Sequence, residues 1–166
     1  MRERSQQCHD PVDEVLEVIW VLGERGIAPT ADKILSMHIH GQIDRDLLQR
    51  MVNEGLLRTE GDRYLYTESG RISGESIIRR HRLAERLLVD VLSIQDMSVE
   101  SEACCFEHFL SPEVTDHICT LLGHPRQCPH GNPIPTGPCC IRAQKHFESA
   151  VVPLSDLKSG QTGRIL

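Results

Sequence analysis

Aromatic residues are scarce in this 166-residue chain: one Trp, two Tyr and three Phe, 4% of the sequence. A core must therefore rest on Leu, Ile and Val rather than on rings. No apolar run approaches the roughly 18 residues of a membrane span. Met1-Arg2-Glu3-Arg4-Ser5-Gln6-Gln7 does not lead into an apolar signal core. These absences exclude a helical membrane protein and a secretory leader, and the expected location is the cytoplasm. Positive charge is short as well: 18 Lys and Arg face 24 Asp and Glu, a net charge of −6. Such a balance disfavours a nucleic-acid partner unless basic residues cluster or bound cations add charge.

What the chain has in quantity is ligand chemistry. It carries seven Cys and nine His, and in a reducing compartment such thiols more often mean metal or redox chemistry than disulfides. The densest stretch is Ser101-Glu102-Ala103-Cys104-Cys105-Phe106-Glu107-His108. If it is helical, Cys104, Glu107 and His108 stand at i, i+3 and i+4 on one face. Sulfur, oxygen and nitrogen together suit a first-row transition metal better than calcium or magnesium. The competing reading is a partly buried helix with a core Cys and a solvated Glu-His pair.

At 39% hydrophobic and 25% charged, the composition is globular, and the length allows one ordinary domain or two small ones. Val12, Val15, Leu16, Val18, Ile19 and Leu22 form a helical stripe, with Asp10-Pro11 as cap and first turn and with Gly23 and Gly26 closing it. On spacing alone, Glu14 and Glu17 are solvated carboxylates on its polar side. Thr30 caps a second helix, Ala31 to about Met37, and Ile43, Leu47, Leu48, Met51 and Val52 mark a third, stopped by Gly55. Leu56–Thr59, a turn at Glu60-Gly61-Asp62, and Arg63–Thr67 read as a β-hairpin. This is the layout of a winged helix-turn-helix over residues 1–72. In such a domain Gln42, Arg45, Gln49, Arg50 and Arg63 are the candidate DNA contacts. Asp44 and Asp46 oppose them, and residues 1–75 hold 9 basic and 14 acidic side chains.

Ser73-Gly74-Glu75 opens a long helix from Ser76 to about Leu92. Its apolar face, Ile77 to Leu92, is too wide for the hairpin domain to cover, which calls for a second helical module or a dimer interface. His81 and Glu85 lie at i and i+4 on it, a spacing that by itself reads as a surface hydrogen bond. Further helices follow Ser98, with Glu100 four residues before Cys104, and Ser111-Pro112-Glu113, the latter ended by Gly123.

Arg80-His81-Arg82-Leu83-Ala84-Glu85-Arg86-Leu87-Leu88-Val89-Asp90, Glu102–His108, Leu122-Gly123-His124-Pro125 and Cys128-Pro129-His130-Gly131-Asn132-Pro133-Ile134-Pro135 resemble the diphtheria-toxin-repressor family of iron- and manganese-dependent transcriptional repressors, over roughly residues 10–137. The resemblance implies a mainly α fold: a winged helix-turn-helix, then a helical metal-binding dimerisation domain (73–140), then a linker and an incomplete SH3-like segment (141–166). It implies a homodimer on double-stranded operator DNA, with Fe²⁺ or Mn²⁺ as effector and Zn²⁺, Co²⁺ or Ni²⁺ as substitutes. It places the DNA-activating metal site on Glu14, Cys104, Glu107 and His108, with Glu17 matching an acidic ligand of the manganese type. The ancillary site falls on His81, Glu85 and Glu100, and the family normally completes it from the SH3-like domain. A second reading is a metal- or redox-sensing interaction module without DNA binding, for which Asp44 and Asp46 speak. No nucleophile–base motif supports an enzyme, and neither a membrane nor a small organic substrate is indicated.

The tail is less regular. Residues 125–138 are rich in Pro and Gly and read as loop. Cys128 and His130 on one side and Cys139-Cys140 on the other form a candidate second metal or redox cluster; oxidation to a disulfide is the alternative. Cys105 beside Cys104 reads as a buried neighbour.

Overall fold

The computed structural model describes residues 10–37, 43–94 and 98–150, together with 156, 158–160 and 162. Gln42 and residues 151–155, 157, 161 and 163–166 of the linker and SH3-like segment lie outside the described residues. The fold is mainly helical, as expected, with one two-stranded sheet.

Helix α1, Pro11–Glu24, starts where the sequence says it should. Asp10 is its N-cap, its carboxylate accepting the Val12 amide at 2.9 Å, and Pro11 fills the first turn, where no amide is needed. Gly26 takes a positive φ of 67° just past its end. Helix α2 spans Ala31–Met37 and α3 spans Arg45–Asn53. Asp44 is the N-cap of α3, its carboxylate accepting the Leu47 amide at 2.7 Å. Strands β1, Leu57–Glu60, and β2, Arg63–Tyr66, pair antiparallel with Leu57 opposite Tyr66, and the Tyr64 amide donates to the Pro29 carbonyl at 2.9 Å. These elements close over a first core containing Val15, Leu16, Ile19, Leu22, Ile34, Leu48, Met51, Leu57 and Ile77. Each fully buried aliphatic side chain contributes about 1.5–3 kcal/mol.

Helix α4 spans Glu68–Asp90 and starts eight residues before the expected Ser76. Thr67 caps it: its Oγ1 accepts the Gly70 amide at 3.1 Å and donates to the Gly55 carbonyl at 2.6 Å. Gly70 and Gly74 look like breakers but serve close packing. A Cβ on Gly70 would sit 1.9 Å from the Leu56 carbonyl oxygen, and one on Gly74 would sit 2.8 Å from the Tyr66 hydroxyl. That hydroxyl in turn donates to the Leu16 carbonyl.

Helix α5, Ser98–Glu107, and helix α6, Pro112–Leu121, pack on the second half of α4. Ser111 caps α6, accepting the Val114 amide at 3.2 Å. The apolar face of α4 is thereby covered within the chain: Leu83, Ala84 and Leu88 join Val99, Ala103, Leu110, Ile118, Cys119, Cys128, Ile134 and Cys139 in a second core. Val91 and Leu92, at its end, stay 51% and 57% exposed. Residues 125–137 form a tight loop, as expected, pinned by the Gln127–Pro133 bridge and by the Cys128 amide on the Asn132 carbonyl at 2.9 Å. Helix α7, Pro138–Ala150, follows and was not expected. Buried Arg82 ties three elements together, donating to Glu24 of α1 at 2.5 Å and to the Pro133 carbonyl.

Candidate metal centre

Helices α1, α4 and α5 converge on one cavity of about 450 Å³ lined in part by Glu14, Glu17, His81, Glu85, Glu100, Cys104 and His130. The reason is helical spacing. Glu14 stands among the buried positions of α1, His81 and Glu85 are one turn apart on α4, and Cys104 and Glu107 are one turn apart on α5. Glu14 is 5% exposed, His81 6%, Glu85 2% and Glu107 1%. Solvated carboxylates on α1 and a surface His-Glu pair on α4 are thus not what the chain contains.

The donors sort into adjacent groups whose ligand atoms lie within 4.8 Å of one another. Glu14, Cys104 and His108 form the first, with Cys104 Sγ 3.3 Å from Glu14 Oε1. His108 lies in the turn that follows α5. Glu107, placed with Cys104 and His108 by sequence, groups instead with Glu17 and His81. His81 Nδ1 is 2.9 Å from Glu107 Oε2 and 3.5 Å from Glu17 Oε1. The other face of the Glu107 carboxylate is 3.6 Å from His108 Nε2, so it touches both groups. His81, Glu85 and Glu100 form the third group, with His81 Nε2 3.6 Å from Glu85 and 3.8 Å from Glu100.

Negative charge exceeds positive charge in this buried space, and protons compensate. Burial, then the neighbouring Glu107 and Glu14 carboxylates, outweigh His81 and push Glu17 up to about 7. Burial also raises Glu107. Burial works against the His81 cation, but the hydrogen bonds it donates to the Glu107 and Glu85 carboxylates prevail and raise it well above the usual histidine range. Burial, then Glu14 and Glu107, pushes the Cys104 thiol up strongly. A divalent cation would replace those protons, and this mixture of S, N and O donors fits a transition metal. Cys104 is buried, whereas the adjacent Cys105, expected to be a buried neighbour, is only half-buried.

The tail residues do not form the single expected cluster. The 125–137 loop folds back and sends Cys128 and His130 to Glu85, His130 Nδ1 lying 2.9 Å from Glu85 Oε1. Cys139 and Cys140, in the first turn of α7, meet Cys119 and His124 instead. Burial pushes Cys139 up to about 12. For Cys140, contacts with the Gly137 backbone, Cys119, His124 and Arg79 overcome burial and bring the thiol down to about 7. Sequence reasoning does not single out Cys119 and His124; the one available signal is their separation of five across a helix end.

The described DNA-contact candidates lie on the surface of the first unit. Arg45, Gln49, Arg50 and Arg63 are exposed, but Arg45 is held by Asp32 at 2.5 Å and Gln49 bonds Asn53 at 3.2 Å.

Residues 67–136 match the family described as "Iron dependent repressor, metal binding and dimerisation domain". The chain is 36% identical over 159 residues to the iron-dependent repressor IdeR of Mycobacterium leprae, covering 91% of this chain and 67% of that protein. It is 35% identical over 128 residues to the diphtheria toxin repressor of Corynebacterium diphtheriae, 76% of this chain and 57% of the relative. For several relatives the match spans little more than half their length, 56% for IdeR of Mycobacterium bovis. Among solved structures, a manganese-dependent transcriptional repressor in complex with manganese superposes with a TM-score of 0.66 at 30% identity, covering 76% of this chain and 63% of that one. The proteins matched are repressors and regulators rather than enzymes. With 36% identity carried across two thirds of a full relative, the chain belongs to the iron-dependent repressor family that includes the diphtheria toxin repressor.

Proposed function

We propose that this chain is a homodimeric, metal-dependent transcriptional repressor that answers Fe²⁺ or Mn²⁺ and controls metal homeostasis genes. The observation that carries the reading is the buried donor set linking α1 to α5, in which Glu14 meets Cys104 and His108, and Glu17 meets Glu107 through His81. A bound divalent ion supplies the positive charge this set lacks. Glu14 and Glu17 belong to the first unit, which we read as a winged helix-turn-helix with α3 as the reader and β1–β2 as the wing. Cys104, Glu107 and His108 belong to the segment matched to the dimerisation domain. Joining them selects one angle between reader and dimer core, lowering the cost of fitting two half-sites. Val91, Leu92, Phe109, Val114 and Leu121, all exposed and all within the matched segment, supply apolar surface for the second copy.

The relatives' names pull toward iron and the solved neighbour toward manganese. The Cys104 thiol favours Fe²⁺, whereas Glu14 and Glu17 favour the harder Mn²⁺. The test is selection of a binding site from a randomised duplex pool, followed by titration with Fe²⁺ (without air), Mn²⁺ or chelator. We expect metal-dependent affinity that falls steeply with salt. Failure to bind any duplex with either metal, with metal still taken up by the protein, would refute the repressor reading and leave a metal-sensing interaction module.

A further inference from the structure

We infer that Cys119, His124, Cys139 and Cys140 form a second kind of metal site, a closed Cys₃His tetrahedron for a thiophilic divalent ion, Zn²⁺ by chemistry. It lies outside the donor set of α1, α4 and α5, and its ligands come from the last turn of α6, the turn that follows it and the first turn of α7.

The first argument is geometry. Cys119 Sγ is 3.5 Å from Cys140 Sγ and 3.5 Å from His124 Nδ1, and Cys139 Sγ is 3.8 Å from Cys140 Sγ. All four ligand atoms lie within 4.8 Å of one another. An ion about 2.3 Å from sulfur and about 2.0–2.1 Å from nitrogen sets tetrahedral S···S edges of ~3.8 Å and S···N edges of ~3.5 Å. The three closest pairs already stand near those separations, and the remaining three lie within 4.8 Å.

The second argument is charge. Arg79 is 7% exposed, and its Nη2 points at Cys139 Sγ from 3.1 Å. A buried guanidinium offers only donors and needs negative charge beside it. Asp116, at 3.5 Å, gives part of that but is shared with Arg142 at 3.0 Å. Three thiolates and a neutral imidazole around a divalent ion leave one negative charge, which Arg79 balances.

The third argument is backbone conformation. His124 is non-glycine yet has φ of 56°, directly after Gly123 at 73°. Its amide donates to the Cys119 carbonyl at 2.8 Å, and this turn lays the imidazole against the Cys119 sulfur. A left-handed histidine is costly, and such residues gather where a side chain must be aimed. With four protein ligands the site is closed, so its role is structural. It pins both ends of the 125–137 loop, which carries His130 to Glu85.

The test uses the full chain purified without air, with Cys104→Ala/His108→Ala as background so that the α1–α5 site contributes no thiolate. Zinc is counted by elemental analysis and Co²⁺-substituted protein is read by absorption. We expect one tightly held zinc per chain in the background protein, and with Co²⁺ an intense tetrahedral spectrum with thiolate-to-cobalt charge transfer. Cys119→Ser and Cys140→Ser should each remove that equivalent and that spectrum. If Cys119→Ser does not fold, the half-buried Cys140 variant and chelator competition on the unmutated chain give the same reading. Equal zinc content with and without Cys140, or a Cys119–Cys140 disulfide in metal-free protein isolated under reducing conditions, overturns the site. Loss of metal-dependent DNA binding in the background protein, with this zinc retained, separates the two sites.

Discussion

Glu107 is the residue on which the proposed sensor turns. Its carboxylate is 1% exposed, bonds His81 on one side and faces His108 on the other, so it spans the two groups nearest α1. Glu107→Ala and His108→Ala should each abolish metal-dependent DNA binding; a normal metal response in either variant would count against the site. Protons and metal compete for this space. Because Glu17 is raised from an ordinary carboxyl to about 7 in the folded chain, it stabilises the metal-free protein while protonated, and that contribution fades as pH rises from about 4.5 through 7. The raised His81 acts with the same sign. Metal affinity should therefore increase as pH rises through neutrality, with proton release, and Glu17→Gln should flatten that dependence in calorimetric titrations at different pH. The candidate donors are legible in sequence because Cys104, Glu107 and His108 sit at helical spacing. Their division was not, since it depends on how α1 is rotated against α5. Cys119 and His124 were hidden because a left-handed turn, which no spacing rule foresees, brings them together.

At the scale of elements, helix starts followed their caps. Asp10, Thr30 and Ser111 were readable because a short polar side chain precedes an apolar stripe. The start of α4 was misjudged because Gly70 and Gly74 resemble a linker; their real role is to let the helix pass against Leu56 and Tyr66, a contact between residues far apart in the chain. Helix α7 was missed because its first turn carries Cys139-Cys140 directly after a Pro- and Gly-rich loop. Thr67→Ala should cost about 1 kcal/mol through the lost cap. Gly70→Ala should cost about 1–3 kcal/mol, because the clashing atom is a backbone oxygen that cannot swing aside. Urea unfolding of both variants measures these losses, and a neutral Gly70→Ala would mean that α4 and the hairpin are not in such contact.

At the scale of the molecule, two apolar cores share one sequence of helices. The proposed dimer makes its own demand: Phe109 is 78% exposed and Leu92 57%, and Phe109→Asp with Leu92→Asp should shift sedimentation at micromolar concentration from dimer to monomer while leaving helix content unchanged. A wild-type monomer under those conditions would remove the basis for paired half-sites. The wide apolar stripe of α4 calls for a second helical module or a dimer interface; α5 and α6 are that module and take most of it, so the surface left for another copy lies at the helix end and on neighbouring elements.

The continuity of α4 limits what the molecule can do mechanically. Its 23 residues make a rod about 35 Å long, rooted at Ile77 in one core and at Leu83 and Leu88 in the other. A rod of unbroken hydrogen bonds neither stretches nor folds without large cost, so the distance between the cores is effectively constant. The remaining freedom is twist about the rod. In the proposed repressor, a metal held by donors on α1 and α5 would act as a torsional clamp, and the signal passed onward would be an angle rather than a displacement.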